Sequence, residues 1–137
     1  MTRLIVTAAI IERDGRLLVT RRQAGTHLAG VWEFPGGKCE AGETLAEGMA
    51  RELDEELGLR AVVGDEVFTT SHAYADRVVE LHFLACTIDG EPQARLGQEM
   101  RWVTRAELRG LEFPPADAEL IQRLTGASNG SDATTAS

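Results

Sequence analysis

An α/β domain with a mixed sheet covered on both faces is what this sequence predicts, and three observations predict it. Two apolar runs with strand character, LIVTAAI at residues 4–10 and VVELHFLACTI at 78–88, lie far apart in the chain. A strongly amphipathic helical pattern at 44–57 falls between them, and a second one follows the last strand. Strands and helices mixed in this order favour helices packed against both sides of one sheet. With 137 residues the chain is long enough for one compact domain, assigned to 1–125, and too short for two ordinary ones.

Leu4 to Ile10 suits a buried strand, Asp14-Gly15 a tight turn, and Leu17 to Thr20 the return strand of a hairpin. After a loop from Gln23 to Gly30, VWEF starts another strand, which Pro35-Gly36-Gly37 should end. Thr44 and Glu47 have the spacing of a capping box, in which each side chain satisfies the other's backbone N–H. Leu45, Met49, Leu53 and Leu57 recur every fourth residue and give the helix one apolar stripe, and Gly58 can supply its left-handed stop. EVFTTSHAY and VVELHFLACTI read as two strands joined near Asp76-Arg77, with MRWVT as a shorter strand. Thr104 and Glu107 repeat the capping-box spacing, and Ala116 to Leu124 has helical periodicity. The segment GASNGSDATTAS, residues 126–137, lacks large apolar residues and is expected to be disordered.

Composition excludes several classes of function. A net charge of −8, from 14 basic and 22 acidic residues, opposes binding of a nucleic-acid polymer. No apolar run approaches the ~20 residues a membrane span needs, and the N-terminal stretch lacks a signal-peptide pattern, so the cytoplasm is the expected compartment. Cys39 and Cys86 fit no disulfide framework or zinc spacing and are expected to be reduced thiols. His27, His72 and His82 form no metal-ligand spacing, and Trp32 and Trp102 are expected in packing roles.

The chemistry concentrates in RELDEELG, residues 51–58. On a helix turning about 100° per residue, Glu52, Glu55 and Glu56 project from one face, away from the leucine stripe. Like charges this close repel, and a hard divalent cation reverses the sign of that cost. Magnesium suits carboxylate oxygens shared with a phosphate ligand, and manganese can replace it. A solvated acidic face is the plain alternative, against which the preceding loop GGKCEAGET weighs by bringing flexible backbone, Glu40 and Glu43 towards the helix start. Arg51 and Glu55 form an i, i+4 pair, expected to contribute only roughly 0.3–0.5 kcal/mol.

From Gly37 through Leu59 the sequence GKCEAGETLAEGMARELDEELGL resembles a Nudix box, with Gly37, Glu43, Arg51, Glu52, Glu55, Glu56 and Gly58 on the motif without a gap. TRRQAGTHLAGVWEFPGG before it and FPPADAELI near the end are similar to the matching parts of MutT-type members. The resemblance implies the Nudix fold, an α/β/α sandwich, and hydrolysis of a nucleoside diphosphate linked to another group. For triphosphates it implies water attack at the β-phosphorus, releasing a nucleoside monophosphate and pyrophosphate. It also implies that Glu52, Glu55 and Glu56, with the Gly37 carbonyl, hold Mg2+, and that Arg51 orients the glutamates. Arg22 and Lys38 are candidates for phosphate contacts. Many relatives carry a glutamate as general base in the loop before the tryptophan strand; here Leu96 stands at the usual place and Glu99 slightly later. Glu99, a box glutamate, or Glu43 through a water are the alternatives.

The resemblance assigns the base pocket to Glu33, Phe34 and Asp117, where MutT itself has asparagine in place of Asp117. An ionised carboxylate accepts hydrogen bonds and donates none, so it favours base edges rich in N–H groups. The cytosine amino group offers them, and so does 8-oxoguanine, whose N7–H replaces an acceptor of guanine. Asp117 can alternatively cap the last helix after Pro114-Pro115. The expected function is hydrolysis of 8-oxo-dGTP or a (d)CTP-like nucleotide by a monomer or homodimer. A hydrolase of dinucleoside polyphosphates, to which Tyr74 points, or of nucleotide sugars is an alternative, and a nucleotide-sensing module without activity is another.

Overall fold

The computed structural model describes residues 2–26 and 28–126. Seven strands form one mixed sheet: β1 (Thr2–Arg13), β2 (Arg16–Arg21), β3 (Trp32–Glu33), β4 (Gly36–Lys38), β5 (Arg60–Ala73), β6 (Arg77–Asp89) and β7 (Met100–Thr104). The order along the sheet is β3-β2-β1-β6-β5, with β4 also on β1 and β7 also on β2. β1 and β6 run parallel over ten paired residues, from Thr2 opposite Arg77 to Ile11 opposite Cys86; the other pairings are antiparallel. Helix α1 (Leu45–Leu57) covers one face, and α2 (Ala118–Thr125) with two short 3-10 turns covers the other. The α/β/α sandwich expected from the sequence is therefore present. Of the segment expected to be disordered, residues 127–137 lie outside the described residues.

Period-two alternation along the central strands sends side chains into two separate cores. Ala9, Ile11 and Leu18 join Leu84 and Cys86 under Met49, Leu53 and Leu57 of α1. Ala8, Ile10, Leu17 and Val19 join Trp32, Phe34, Phe83 and Leu120 on the opposite side. Met49, Leu53 and Leu57 have no exposed surface, so the predicted stripe is the face by which α1 is held down. The capping box is formed in both directions, and Gly58 closes the helix at φ 65°, in the left-handed region glycine enters at low cost.

Three elements depart from the expectations. The 12–17 hairpin pairs only next to its turn, after which β1 leaves β2 to pair with β4 and β6. The VWEF strand ends before Pro35 as expected, but Gly36-Gly37 is not loop and forms β4 on β1. The reason is proximity: a Cβ on Gly36 would lie 2.0 Å from the Thr7 carbonyl oxygen, so only glycine lets the strands approach this closely. β5 begins at Arg60 rather than Glu66, because Gly64-Asp65 forms part of an irregular, bulged register against β6 instead of a turn. No helix among the described residues is long and apolar enough to cross a membrane.

Candidate active site

The loop and helix start of the glutamate motif are tied to the sheet through β4. Glu52 rests on Gly37, where a Cβ would meet its carboxyl carbon at 2.5 Å. The Gly37 carbonyl faces Thr7 across the β1–β4 pairing and also accepts a hydrogen bond from the Thr7 hydroxyl at 3.4 Å. Glycine at this position thus allows a backbone carbonyl and a helix carboxylate to share one place.

Arg51 does far more than the weak surface pair expected of it. Its Nε and Nη2 donate to both oxygens of Glu43, at 2.7 and 3.1 Å, and Nη2 also reaches the Lys38 carbonyl at 3.0 Å. Nη1 donates to Glu52 and Glu55, at 3.2 Å each. The Glu43 hydrogen bonds hold the guanidinium firmly in its charged form, and in turn keep Glu43 below the usual carboxylate range. Glu43 also accepts from the Glu40 N–H at 2.8 Å, so its oxygens are already committed and it is a poor base.

Glu56 lies on the other side of Glu52. Burial first, then a hydrogen bond to Glu52 and repulsion from Glu52, Glu33 and Glu55, raise its pKa far above the ordinary range. Arg51 reaches Glu52 and Glu55, whereas no cation among the described residues offsets the charge of Glu56. Three glutamates and a carbonyl supply only hard oxygen donors, which fits a divalent cation of the magnesium type. Soft or nitrogen-ligated metals fit poorly.

Gly37 also lines a cavity of about 520 Å3 on the far side of β4. Its walls include Phe34, Leu81 and Pro114, with Tyr74 and Arg77 from the β5–β6 turn. Phe34 is fixed edge-on to Phe83 and packs on Phe113, with centroids 6.1 and 5.3 Å apart. Glu33 accepts from Arg22 Nη1 at 2.8 Å, and the pair stands between this cavity and a smaller cleft of about 130 Å3 lined by Glu56, Gln98 and Leu96. Asp117 is 4% exposed and makes no capping bond to α2, which removes the helix-cap alternative. Burial, reinforced by Glu33, pushes its pKa up to about 7.

The sequence candidates thus fall into groups. Gly37, Glu43, Arg51, Glu52, Glu55 and Glu56 come together, and Arg22, Glu33, Phe34 and Asp117 line the adjoining cavity. Lys38 is exposed, and its contact with the motif is through its carbonyl. Glu99 is not brought to the site: it pairs with Arg21 on the surface at 3.2 Å. In the loop just before β7 its neighbour Gln98 takes the inward position instead and is 8% exposed. Gln98 went unnoticed in the sequence because an acidic base was sought there. Among the histidines, His82 is held between Glu66 and Glu80 at 2.6 and 2.7 Å, with no part in the cavity lining.

Residues 6–123 match the NUDIX domain family model. The chain belongs to the NUDIX family. This Nudix chain is 38% identical over 123 residues to the CTP pyrophosphohydrolase of Escherichia coli K12, covering 89% of the chain and 91% of that protein. It is 40% identical over 121 residues to the 8-oxo-dGTP diphosphatase of Haemophilus influenzae, covering 87% of the chain and 89% of that protein. The solution structure of the E. coli ORF135 protein superimposes with a TM-score of 0.82 at 37% identity, over 92% of this chain and 91% of that one. The MutT protein of Methanosarcina mazei Go1 superimposes with a TM-score of 0.81 at 26% identity, over 94% and 97% of the two chains. This Nudix protein is an enzyme that acts on phosphoric anhydride bonds in nucleotides.

Proposed function

We propose that this Nudix enzyme hydrolyses a nucleoside triphosphate to the monophosphate and pyrophosphate, with Mg2+ as its preferred cation and Mn2+ as a substitute. The base it accepts is cytosine or 8-oxoguanine. The observation that carries the base assignment is Asp117: a buried carboxylate in the cavity wall, with no hydrogen bond among the described residues offsetting its burial. A ligand N–H placed against it removes a cost of about 1–3 kcal/mol. The cytosine amino group and the N7–H of 8-oxoguanine both supply one, whereas guanine N7 would set two acceptors face to face whenever Asp117 is ionised.

Glu52, Glu55 and Glu56, with the Gly37 carbonyl, are the residues that would hold the cation. When bound, it supplies neutralisation of the phosphate oxygens and lowers the pKa of water at the site. The protein's own part is to hold the groups in place. Arg51 fixes Glu52 and Glu55 against the Glu43 anchor, and a box glutamate accepts the proton of the attacking water. Phe34 and Leu81 present an apolar wall to the base, while Arg22, at the boundary of cavity and cleft, lies where a phosphate would pass. The enzyme works as a monomer or homodimer in the cytoplasm.

A pyrophosphate-release assay with 8-oxo-dGTP, dCTP, CTP, dGTP and diadenosine tetraphosphate, with nucleotide products identified, tests this reading. The expected result is nucleoside monophosphate from 8-oxo-dGTP or the cytidine nucleotides and slow turnover of dGTP. Rapid dinucleotide cleavage with poor triphosphate turnover would overturn it.

A further inference from the structure

The last turn of α1 carries Glu55 and Glu56, and a helix end is where backbone carbonyls lose their intrahelical partners and the chain frays. Repulsion among Glu52, Glu55 and Glu56 favours fraying, which would separate them. No basic residue lies in that last turn to oppose it. The segment between β6 and β7 supplies what the helix lacks. Gln93 N–H donates to the Leu57 carbonyl at 2.8 Å, Arg95 N–H to the Glu56 carbonyl at 3.1 Å, and Arg95 Nη1 to the Asp54 carbonyl at 3.2 Å.

One contact stands apart because it is made by a side chain lining the same cleft as Glu56. Gln98 Nε2 donates to the Glu56 carbonyl at 3.2 Å, while its Oε1 accepts from the Leu96 N–H at 3.0 Å. The Leu96 carbonyl in turn accepts from Gln23 Nε2 at 2.7 Å. Gln23 directly follows Arg22, whose guanidinium lies at the boundary of the cleft and the cavity. Leu96 is therefore held through both its N–H and its carbonyl, and its backbone links the Gln23 side of the cleft to the hydrogen bond that Gln98 makes with the backbone of Glu56.

We propose that Gln98 is a positioning residue for Glu56, holding the end of the glutamate helix in register for the cation and linking it through the Leu96 peptide to Gln23. The proposal rests on the assignment of Glu56 as a cation ligand. Removing the amide leaves the backbone contacts of Gln93 and Arg95 in place, so the helix survives while its last turn loosens.

The test uses the full chain as Gln98→Ala and as Gln98→Met, which keeps the side-chain volume but makes neither hydrogen bond. Mn2+ binding followed by electron paramagnetic resonance should weaken roughly three- to tenfold, the range expected for loss of a hydrogen bond. The half-saturating Mg2+ concentration should rise, and kcat should fall similarly, with the nucleotide KM nearly unchanged. Gln23→Ala should show the same pattern more weakly. If Gln98→Ala fails to fold, Gln98→Met decides. Folded Gln98→Met with Mn2+ affinity and kcat within twofold of the parent would overturn the proposal. If Glu56→Gln leaves Mn2+ affinity unchanged, the ligand assignment beneath it fails instead, so the two failures are distinguishable.

Discussion

At α1 the loop carboxylate of Glu43 and the helix carboxylates of Glu52 and Glu55 gather around one guanidinium, that of Arg51, whereas in the cavity beyond Gly37 the Arg22 guanidinium pairs with Glu33 and Asp117 is left buried beside them. The first region balances much of its charge internally through Arg51. The second keeps one buried carboxylate, Asp117, whose burial a ligand N–H would offset on the proposed function. On the proposed function the difference separates two tasks: the helix would cut a diphosphate whatever base is attached, and the cavity would discriminate among bases.

Breaking the helix side should have the largest effect. Glu55→Gln and Glu56→Gln should each lower kcat by at least about tenfold, or about 1.4 kcal/mol of barrier, in proteins that remain folded by circular dichroism. Full activity in both would refute the assignment of these residues as cation ligands.

The cavity side can be sharpened through pH. The Asp117 pKa of about 7 in the folded protein exceeds the ordinary 3.8, so the native state holds this proton more tightly than the unfolded chain. Its favourable contribution is complete below about pH 4 and is lost as pH rises to about 7, with no further change above. Asp117→Asn carries no such proton. Relative to the variant, the parent should lose several degrees of Tm between pH 4 and pH 7, measured by thermal melts at fixed ionic strength. A Tm difference independent of pH would show that Asp117 is ionised throughout.

The smallest effect belongs to a residue outside both regions. Glu99→Gln should leave kcat and KM within about twofold, because an exposed ion pair contributes little and no catalytic group touches it. A large loss of kcat would return Glu99 to the role of base.

The glutamate helix was legible in the sequence because its determinants are contiguous. The Thr44–Glu47 box, the four-residue stripe and Gly58 all act within one helix, and each acts as its local chemistry predicts. β4 was not legible, since glycine marks both a turn and a close approach of strands, and only the position of Thr7 separates them. The cavity draws its lining from Val6 to Asp117, so no local pattern describes it, although resemblance pointed to Glu33, Phe34 and Asp117. Pairwise helix rules alone undervalue Arg51, because they count only Glu55 while its main partner, Glu43, comes from the loop; the resemblance sets it among the glutamates.

That loop partnership has a consequence for how the enzyme is supplied. A guanidinium that already gathers Glu43, Glu52 and Glu55 lets the chain reach its native shape before any cation arrives. Under the proposed cation requirement, folding and metal loading would be separate events, and a cell short of the divalent cation would hold folded, idle enzyme rather than lose it to unfolding. Metal then sets how much of the stock is working, and not how much stock there is.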